Sequence, residues 1–227
     1  MRVATYNVHD CVGRDGRFAP GRIIAVLAEI GADLVALQEV TLDAAGGLIG
    51  RLEKATRLHT IDGSLFARGI GRYGNLLLTR NLPLCSRLHD LSRAGREPRG
   101  CIEAHLALGD GRLRVFATHL GLQRGERLFQ LGRLAAAVAA SRRPALVLGD
   151  FNLWAGSAAL GPLVRIGLRH RPVRSYPTWP VPIAALDRIL AQPPLALARC
   201  RRHDSPLSRV ASDHFPVVAD VQLISSG

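Results

Sequence analysis

The amino-acid sequence predicts a layered protein of the α/β or α+β class. Three features carry that expectation. Short apolar runs of strand length alternate with stretches whose apolar residues recur at helical spacing. Two strand–helix–strand units can be read, one near the N-terminus and one past the middle. Between them, Gly109-Asp110-Gly111-Arg112 separates two apolar runs as a hairpin turn would. A chain of 227 residues with 48% hydrophobic content can bury a large core, so residues 1–227 are expected to form one domain.

Residues 3–8 read as the first strand, with Asn7 and His9 at its end. The glycine-rich, polar stretch 10–20 reads as a loop. A helix is expected from about residue 21, with Ile23, Ile24, Leu27 and Ile30 at helical spacing and Gly31 as its stop. Residues 33–40 form the next strand, which carries Gln38-Glu39, and this first unit brings Asn7 and Glu39 side by side. Residues 76–79, 101–108 and 113–119 read as strands, the last ending in His119. The arginine-rich stretch 82–100 reads as an exposed loop or edge. Leu128, Leu131, Leu134, Ala135 and Val138 give residues 125–140 a helical stripe, and Pro144 leads into the central run Leu146-Val147-Leu148. A short helix over 158–166, a Pro-rich loop over 171–182 and strands over 186–190 and 217–223 complete the chain.

The central run stops at Gly149-Asp150-Phe151-Asn152. In an extended chain, positions i and i+2 face the same side, so Asp150 and Asn152 could act on one substrate or one metal-bound water. The plainer alternative is a strand followed by an Asx-turn. The same pattern, an apolar run ending in a polar or ionisable residue, recurs at Asn7, Glu39, His119 and Asp213-His214.

The formal net charge of +12 suggests a polyanionic partner. Nearly all of the excess is arginine, with Lys54 the only lysine, so biased composition is an alternative source, and the arginine groups at 142–143, 169–174 and 199–202 read as solvated surface. Cys11, Cys85, Cys101 and Cys200 contain no Cys-x-x-Cys pair, which argues against a zinc site or a disulfide framework. No apolar run is long enough to span a bilayer. A strand that begins at residue 3 leaves no room for a signal peptide, so a cytoplasmic location is expected, and with it a monomer.

Taken together, Thr5-Tyr6-Asn7-Val8, Leu37-Gln38-Glu39-Val40, Thr118-His119-Leu120, Gly149-Asp150-Phe151-Asn152, Leu186-Asp187-Arg188-Ile189 and Ser212-Asp213-His214-Phe215-Pro216-Val217 resemble the endonuclease/exonuclease/phosphatase family. All six occur in the family's order and span nearly the whole chain. The resemblance implies a four-layer α/β (α+β) sandwich, deoxyribonuclease I-like, with two mixed sheets face to face, helices outside, and the site at one end of the sheets. It also implies Mg2+, with Mn2+ as a substitute.

Hydrolysis of a phosphodiester needs charge neutralisation, a positioned water and relief for the leaving oxygen. Glu39 is the expected metal ligand, because Mg2+ keeps most of its waters and needs only one or two carboxylates; the resemblance adds Asn7 beside it. Asp187 is expected to orient His214 as the base, and Asp213 to add a second metal contact. Asp150 and Asn152 would position the attacking water or stabilise the pentacoordinate phosphorus, and residue types alone do not rank Asp150 against His214 as proton acceptor. By resemblance, His119 bonds a non-bridging phosphate oxygen, Asn75 lies near the substrate phosphate, and Arg96 belongs to a segment that reaches a DNA backbone. Trp179, in Thr178-Trp179-Pro180, is read either as a ring for stacking or membrane contact or as packing. The expected activity is a Mg2+-dependent nuclease, endonuclease or exonuclease, acting on nucleic acid. The alternative is hydrolysis of a lipid head group or small phosphoester, and a binding module with a dead site ranks last, because Glu39, Asp150, Asp187 and His214 are all present.

Overall fold

The computed structural model describes residues 1–43, 47–69, 71–109, 111–154, 156 and 158–224. In chain order its main elements are β1 (Arg2–Asn7), α1 (Pro20–Ile30), β2 (Leu34–Leu42), α2 (Gly47–Thr56), β3 (His59–Arg68), β4 (Gly71–Thr79), β5 (Cys85–Asp90), β6 (Gly100–Leu108) and β7 (Gly111–His119). They continue with α3 (Arg124–Ala139), β8 (Ala145–Asp150), α4 (Gly161–Arg165), β9 (Arg169–His170), β10 (Asp187–Ala191), β11 (Leu195–Arg202), α5 (Ser208–Ala211) and β12 (Val217–Leu223). One sheet has the order β11-β12-β1-β2-β4-β3, the other β5-β6-β7-β8-β10-β9.

Two crossovers set the frame. β1 and β2 pair in parallel, joined by α1, and β7 and β8 pair in parallel, joined by α3. In α1, Ile23, Val26, Leu27 and Ile30 are buried at spacings of three and four, so one stripe of the helix meets the sheet. Gly31, at φ +57°, turns the chain out of the helix and gives its N–H to Leu27 O.

Alternation along the strands sorts the apolar residues into three layers. Val3, Leu34, Ala36, Leu77, Ala104, Val115, Ala117, Leu146, Leu148, Ile189 and Val217 form the core between the two sheets. Ala4, Tyr6, Val35 and Leu37 face α1 and α2. Phe116, Ala145, Val147 and Leu190 face α3 and α4. The result is the four-layer sandwich, helix on sheet on sheet on helix.

Several local expectations change. The exposed stretch 82–100 contains β5, an edge strand, and a loop after it. The turn expected at Gly109-Asp110-Gly111-Arg112 includes Asp110, which lies outside the described residues; its flanking strands β6 and β7 pair antiparallel from Cys101↔Thr118 to Leu108↔Gly111. α2, β3 and β11 were not foreseen. β3 and β11 are largely half-buried on both faces, so neither shows clean alternation, and the arginines at 199–202 belong to a strand interrupted by a bulge between Ala198 and Arg201.

One polar device ties α3 to its sheet. Arg114 is buried on β7, and its Nη1 and Nη2 donate to Val138 O and Ala137 O at 2.7 and 2.6 Å, carbonyls that end α3. Its Nε donates to Glu103 at 2.9 Å, and the same carboxylate meets His89 Nε2 at 2.6 Å and His105 Nε2 at 3.0 Å. Burial works to raise the Glu103 pKa, but these three hydrogen bonds together hold it below the ordinary carboxylate value.

Arg114→Met should therefore lower stability by about 3 kcal/mol or more, since it strands a buried carboxylate; a thermal melt within a degree of wild type would contradict this. Because the folded Glu103 pKa is depressed, its stabilisation is present above the unfolded value of about 4.3 and lost as pH falls through the lower folded value. Glu103→Gln should flatten that part of the acid limb in a series of melts between neutral and acid pH.

Candidate active site

Asp150 ends β8, and the register places it opposite His119 on β7 and opposite Asp187 on β10. Each of these residues continues a row that faces the inter-sheet core: Leu146 and Leu148 lead to Asp150, Val115 and Ala117 to His119, and Ile189 lies two residues past Asp187. Asn7 ends the corresponding row of β1 in the other sheet. The same alternation that builds the core therefore delivers four polar side chains to one edge of it.

Glu39 does not follow that rule. On β2 the inward row is Leu34, Ala36 and Gln38, which would turn Glu39 toward the helices. The pairing of β2 with β4 shifts register between Leu37 and Val40, and Glu39 sits at φ +56° within this bulge. The bulge re-aims its carboxylate into the site. Gln38 stays inside and accepts from Thr5 Oγ1 at 3.2 Å.

Asn7 Nδ2 joins the two sheets, donating to Glu39 Oε1 at 2.8 Å and to Asp150 Oδ2 at 3.1 Å. Asp150 Oδ1 accepts the Asn152 N–H at 2.8 Å. Asn152 has φ +51°, so the Asx-turn alternative holds and the extended-chain argument for Asp150 and Asn152 does not. The two still share the site, because the turn folds Asn152 back until its Nδ2 lies 2.8 Å from Leu120 O and 3.1 Å from His119 Nε2. His119 is buried, and burial pushes its pKa down to about 3, so the ring is neutral and accepts from Asn152. Burial likewise raises Glu39, and the neighbouring charges of Asp150 and Asp213 add to this.

His214 lies across the cleft. Its Nδ1 donates to Asp187 Oδ2 at 2.8 Å, and that oxygen also accepts from Ser175 Oγ at 2.6 Å. Its backbone N–H donates to Ser212 Oγ, whose hydroxyl donates to Asn7 O at 2.8 Å, so the His214 loop is tied to β1. The Tyr176 ring packs 4.8 Å from the imidazole. Burial alone would lower the His214 pKa, but Asp187, Asp150 and Asp213 outweigh it and push it up to about 10. His214 Nε2 is left 3.9 Å from Asp150 Oδ2.

Glu39, His119, Asp150, Asn152, Tyr176, Asp213 and His214 line a cleft of about 370 Å³ together with His9, Asp10, Arg68, Tyr73, Glu97, Arg99, Leu122, Trp154 and Leu186. A larger cavity of about 690 Å³, between β5 and α3, holds none of the predicted site residues. Of the residues singled out from sequence, Glu39, His119, Asp150, Asn152, Asp213 and His214 line the cleft, with Asn7 and Asp187 hydrogen-bonded directly behind them. Asn75 is buried in β4 opposite Gly63, outside the cleft lining, and Arg96 is an exposed loop residue. Arg99, Arg68, Ser175, Tyr176 and Trp154 were not foreseen as site residues. Each enters through loop geometry or an edge strand, which spacing along the chain does not reveal.

Five carboxylates, Asp10, Glu39, Glu97, Asp150 and Asp213, line the cleft against two arginines. Within a chain of net charge +12 the cleft is therefore acidic. Among the described residues, the ion-pair partners of Glu39, Asp150, Asp187 and Asp213 are all histidines. One ligand atom each from Asp150, Asp187 and His214 also lies within 4.8 Å of the others. Oxygen donors with this much uncompensated charge fit a hard divalent cation.

One edge of the four-layer sandwich thus gathers carboxylates and histidines, groups suited to phosphoester hydrolysis. Residues 4–214 match the sequence profile of the endonuclease/exonuclease/phosphatase family, and the chain belongs to that family, whose chemistry is phosphoester hydrolysis. An endonuclease/exonuclease/phosphatase from Beutenbergia cavernae has 23% identity and a TM-score of 0.81 over 98% of this chain and 71% of that one. D. rerio TDP2, solved with a single-strand DNA product, has 19% identity and a TM-score of 0.76 over 98% of each chain. A mannosyl-6-phosphatase from Bacteroides thetaiotaomicron has 15% identity and a TM-score of 0.76 over 98% of this chain and 100% of that one. No curated protein matches the chain by sequence. No helix among the described residues is long and apolar enough to cross a membrane.

Gly149 sets how closely β8 approaches β7. It has φ +152°, and a Cβ there would lie 1.8 Å from Thr118 O. Gly149→Ala should push the strands apart beside Asp150 and cost at least about 3 kcal/mol, the upper end of ordinary overpacking. Chemical denaturation checks this, and a wild-type midpoint would show that the strand contact is soft.

Proposed function

We propose that the chain is a divalent-metal-dependent phosphodiesterase, using Mg2+ and acting on nucleic acid. The observation that carries this reading is the cluster in which Asn7 bridges Glu39 and Asp150 while Asp187 holds His214 across the same cleft. Glu39 and the side-chain oxygen of Asn7 are the residues proposed to hold the cation, with Asp213 as a further contact. A bound Mg2+ supplies charge neutralisation at the phosphoryl oxygens. Asn152, fixed by its turn, and Asp150 position the attacking water.

His214 was expected from sequence to be the base. Its carboxylate surroundings favour the imidazolium, the form that stabilises charge building on the phosphorus oxygens, so Asp150 is proposed to accept the proton of the water. His119 is proposed to face a non-bridging oxygen; to donate there, its Nε2 must carry the proton where it now accepts from Asn152.

The net charge of +12 supports a nucleic-acid substrate, and the TDP2 neighbour with its single-strand DNA product is consistent with that. The mannosyl-6-phosphatase neighbour and the small cleft support a second reading, a small phosphoester. The four cysteines are free, in keeping with the proposed cytoplasmic location.

The deciding assay is Mg2+-dependent nicking of supercoiled plasmid at low salt, with His214→Ala purified in parallel. Cleavage by wild type alone, abolished by EDTA, is the expected result. Asp150→Ala and His214→Ala should each lose at least about 10²-fold in rate with the fold intact, while Glu39→Gln should need more Mg2+ for the same rate. A folded wild type that leaves the plasmid intact but hydrolyses bis-p-nitrophenyl phosphate would overturn the nucleic-acid reading and support the small phosphoester.

A further inference from the structure

One buried side chain in the cleft has a donor that no other described residue uses. Arg99, just before β6, has 6% of its surface exposed and lines the cleft, yet its Nε is buried with no hydrogen-bond partner among the described residues. Buried polar groups are normally paired, and a guanidinium more than most. Its side-chain partner among the described residues is Glu97, bound through Nη1. The backbone on either side is held firmly: Arg99 N donates to Ser92 Oγ at 3.2 Å, and Arg99 O accepts from Leu91 N at 2.8 Å. The guanidinium is thus delivered to the cleft from a fixed main chain, close enough to His119 for its charge to help hold that ring neutral.

Glu97 is differently placed. Half of its side chain is exposed, so its carboxylate can exchange Arg99 for water at little cost. A carboxylate and a phosphate compete for the same planar fork of donors. Arg68 repeats the arrangement on the cleft wall, paired with Asp10 at 2.7 Å and lying 4.6 Å over the Tyr73 ring.

We infer that Arg99 is a substrate-binding residue that takes a phosphate oxygen in the cleft, and that Glu97 occupies it as a built-in competitor which the phosphate must displace. The inference rests on the phosphoester reading above and deepens it. It moves the phosphate contact from the exposed Arg96 to the buried arginine three residues on. It also makes phosphate affinity a difference between two anions: removing Arg99 weakens binding, and removing Glu97 strengthens it.

The opposite signs provide the test. Inhibition by inorganic phosphate is measured during Mg2+-dependent hydrolysis of bis-p-nitrophenyl phosphate, for wild type, Arg99→Ala, Arg99→Lys, Glu97→Ala and Glu97→Gln. Arg99→Ala should raise KM and the phosphate inhibition constant about tenfold, with a smaller effect on kcat, and Arg99→Lys should recover only part of this. Glu97→Ala and Glu97→Gln should lower the inhibition constant severalfold. If the pair were only a structural ion pair, both sets of variants would lose stability and neither would tighten phosphate; that result overturns the inference. Should Arg99→Ala fail to fold, the Glu97 variants decide alone, and unchanged phosphate inhibition in them overturns it. A wild type that hydrolyses no phosphoester counts against the proposed function instead. Calorimetric titration of the same Mg2+-loaded proteins with inorganic phosphate then reads the inference independently, with loss of binding in Arg99→Ala and a gain in Glu97→Ala expected.

Discussion

A carboxylate with 1% of its surface exposed must be met by donors, and Asp150 is met from both sheets at once. Asn7 reaches it from β1, Asn152 from the turn after β8, and His119 and Asp187 flank it through the register of β7 and β10. The Asn7 contact presupposes that the two sheets stack with their inward rows in phase, and the others that β7, β8 and β10 keep their register. The core between the sheets is thus also the scaffold of the site, and a shift of one residue in any of these strands would turn its polar end away from the cleft.

The geometry also explains how a strongly basic chain can have an acidic active cleft. The arginines that produce the net charge lie mostly on edges, loops and helix surfaces, whereas the strand ends carry Asn7, Asp150 and Asp187 and the β2 bulge carries Glu39. Burial disfavours charge on His119 while the surrounding carboxylates favour it on His214, so two histidines of one cleft are pushed in opposite directions. An anionic phosphate entering such a cleft meets positive charge at His214, Arg68 and Arg99. The five carboxylates lining the cleft give it oxygen donors of the kind a divalent cation takes.

Much of the fold was legible because period-two and helical patterns are local. The two parallel crossovers, the β6–β7 pairing and the last strand all follow from apolar spacing and stop residues. β3, β5 and β11 were harder, since edge or half-buried strands need no clean alternation. Around the cleft, Asn7, His119 and Asp150 could be found as polar ends of apolar runs, and Asp187 through its motif. Ser175 and Arg99 could not: the first matters only because a loop lays its hydroxyl on Asp187, the second because a turn buries it beside His119.

By itself the sequence determined the layer class, the order of the strand ends and the residue types available for phosphoester chemistry, because these depend on spacing along the chain and on side-chain identity. Only the tertiary structure decided which of those groups meet. The bulge that turns Glu39 inward, the left-handed turn that returns Asn152 to His119, and the choice of Arg99 over Arg96 at the cleft all depend on backbone register and loop packing, which are settled by contacts between residues distant in sequence. The opposite pKa shifts of the two histidines arise in the same way, because burial and neighbouring charge are properties of the assembled site.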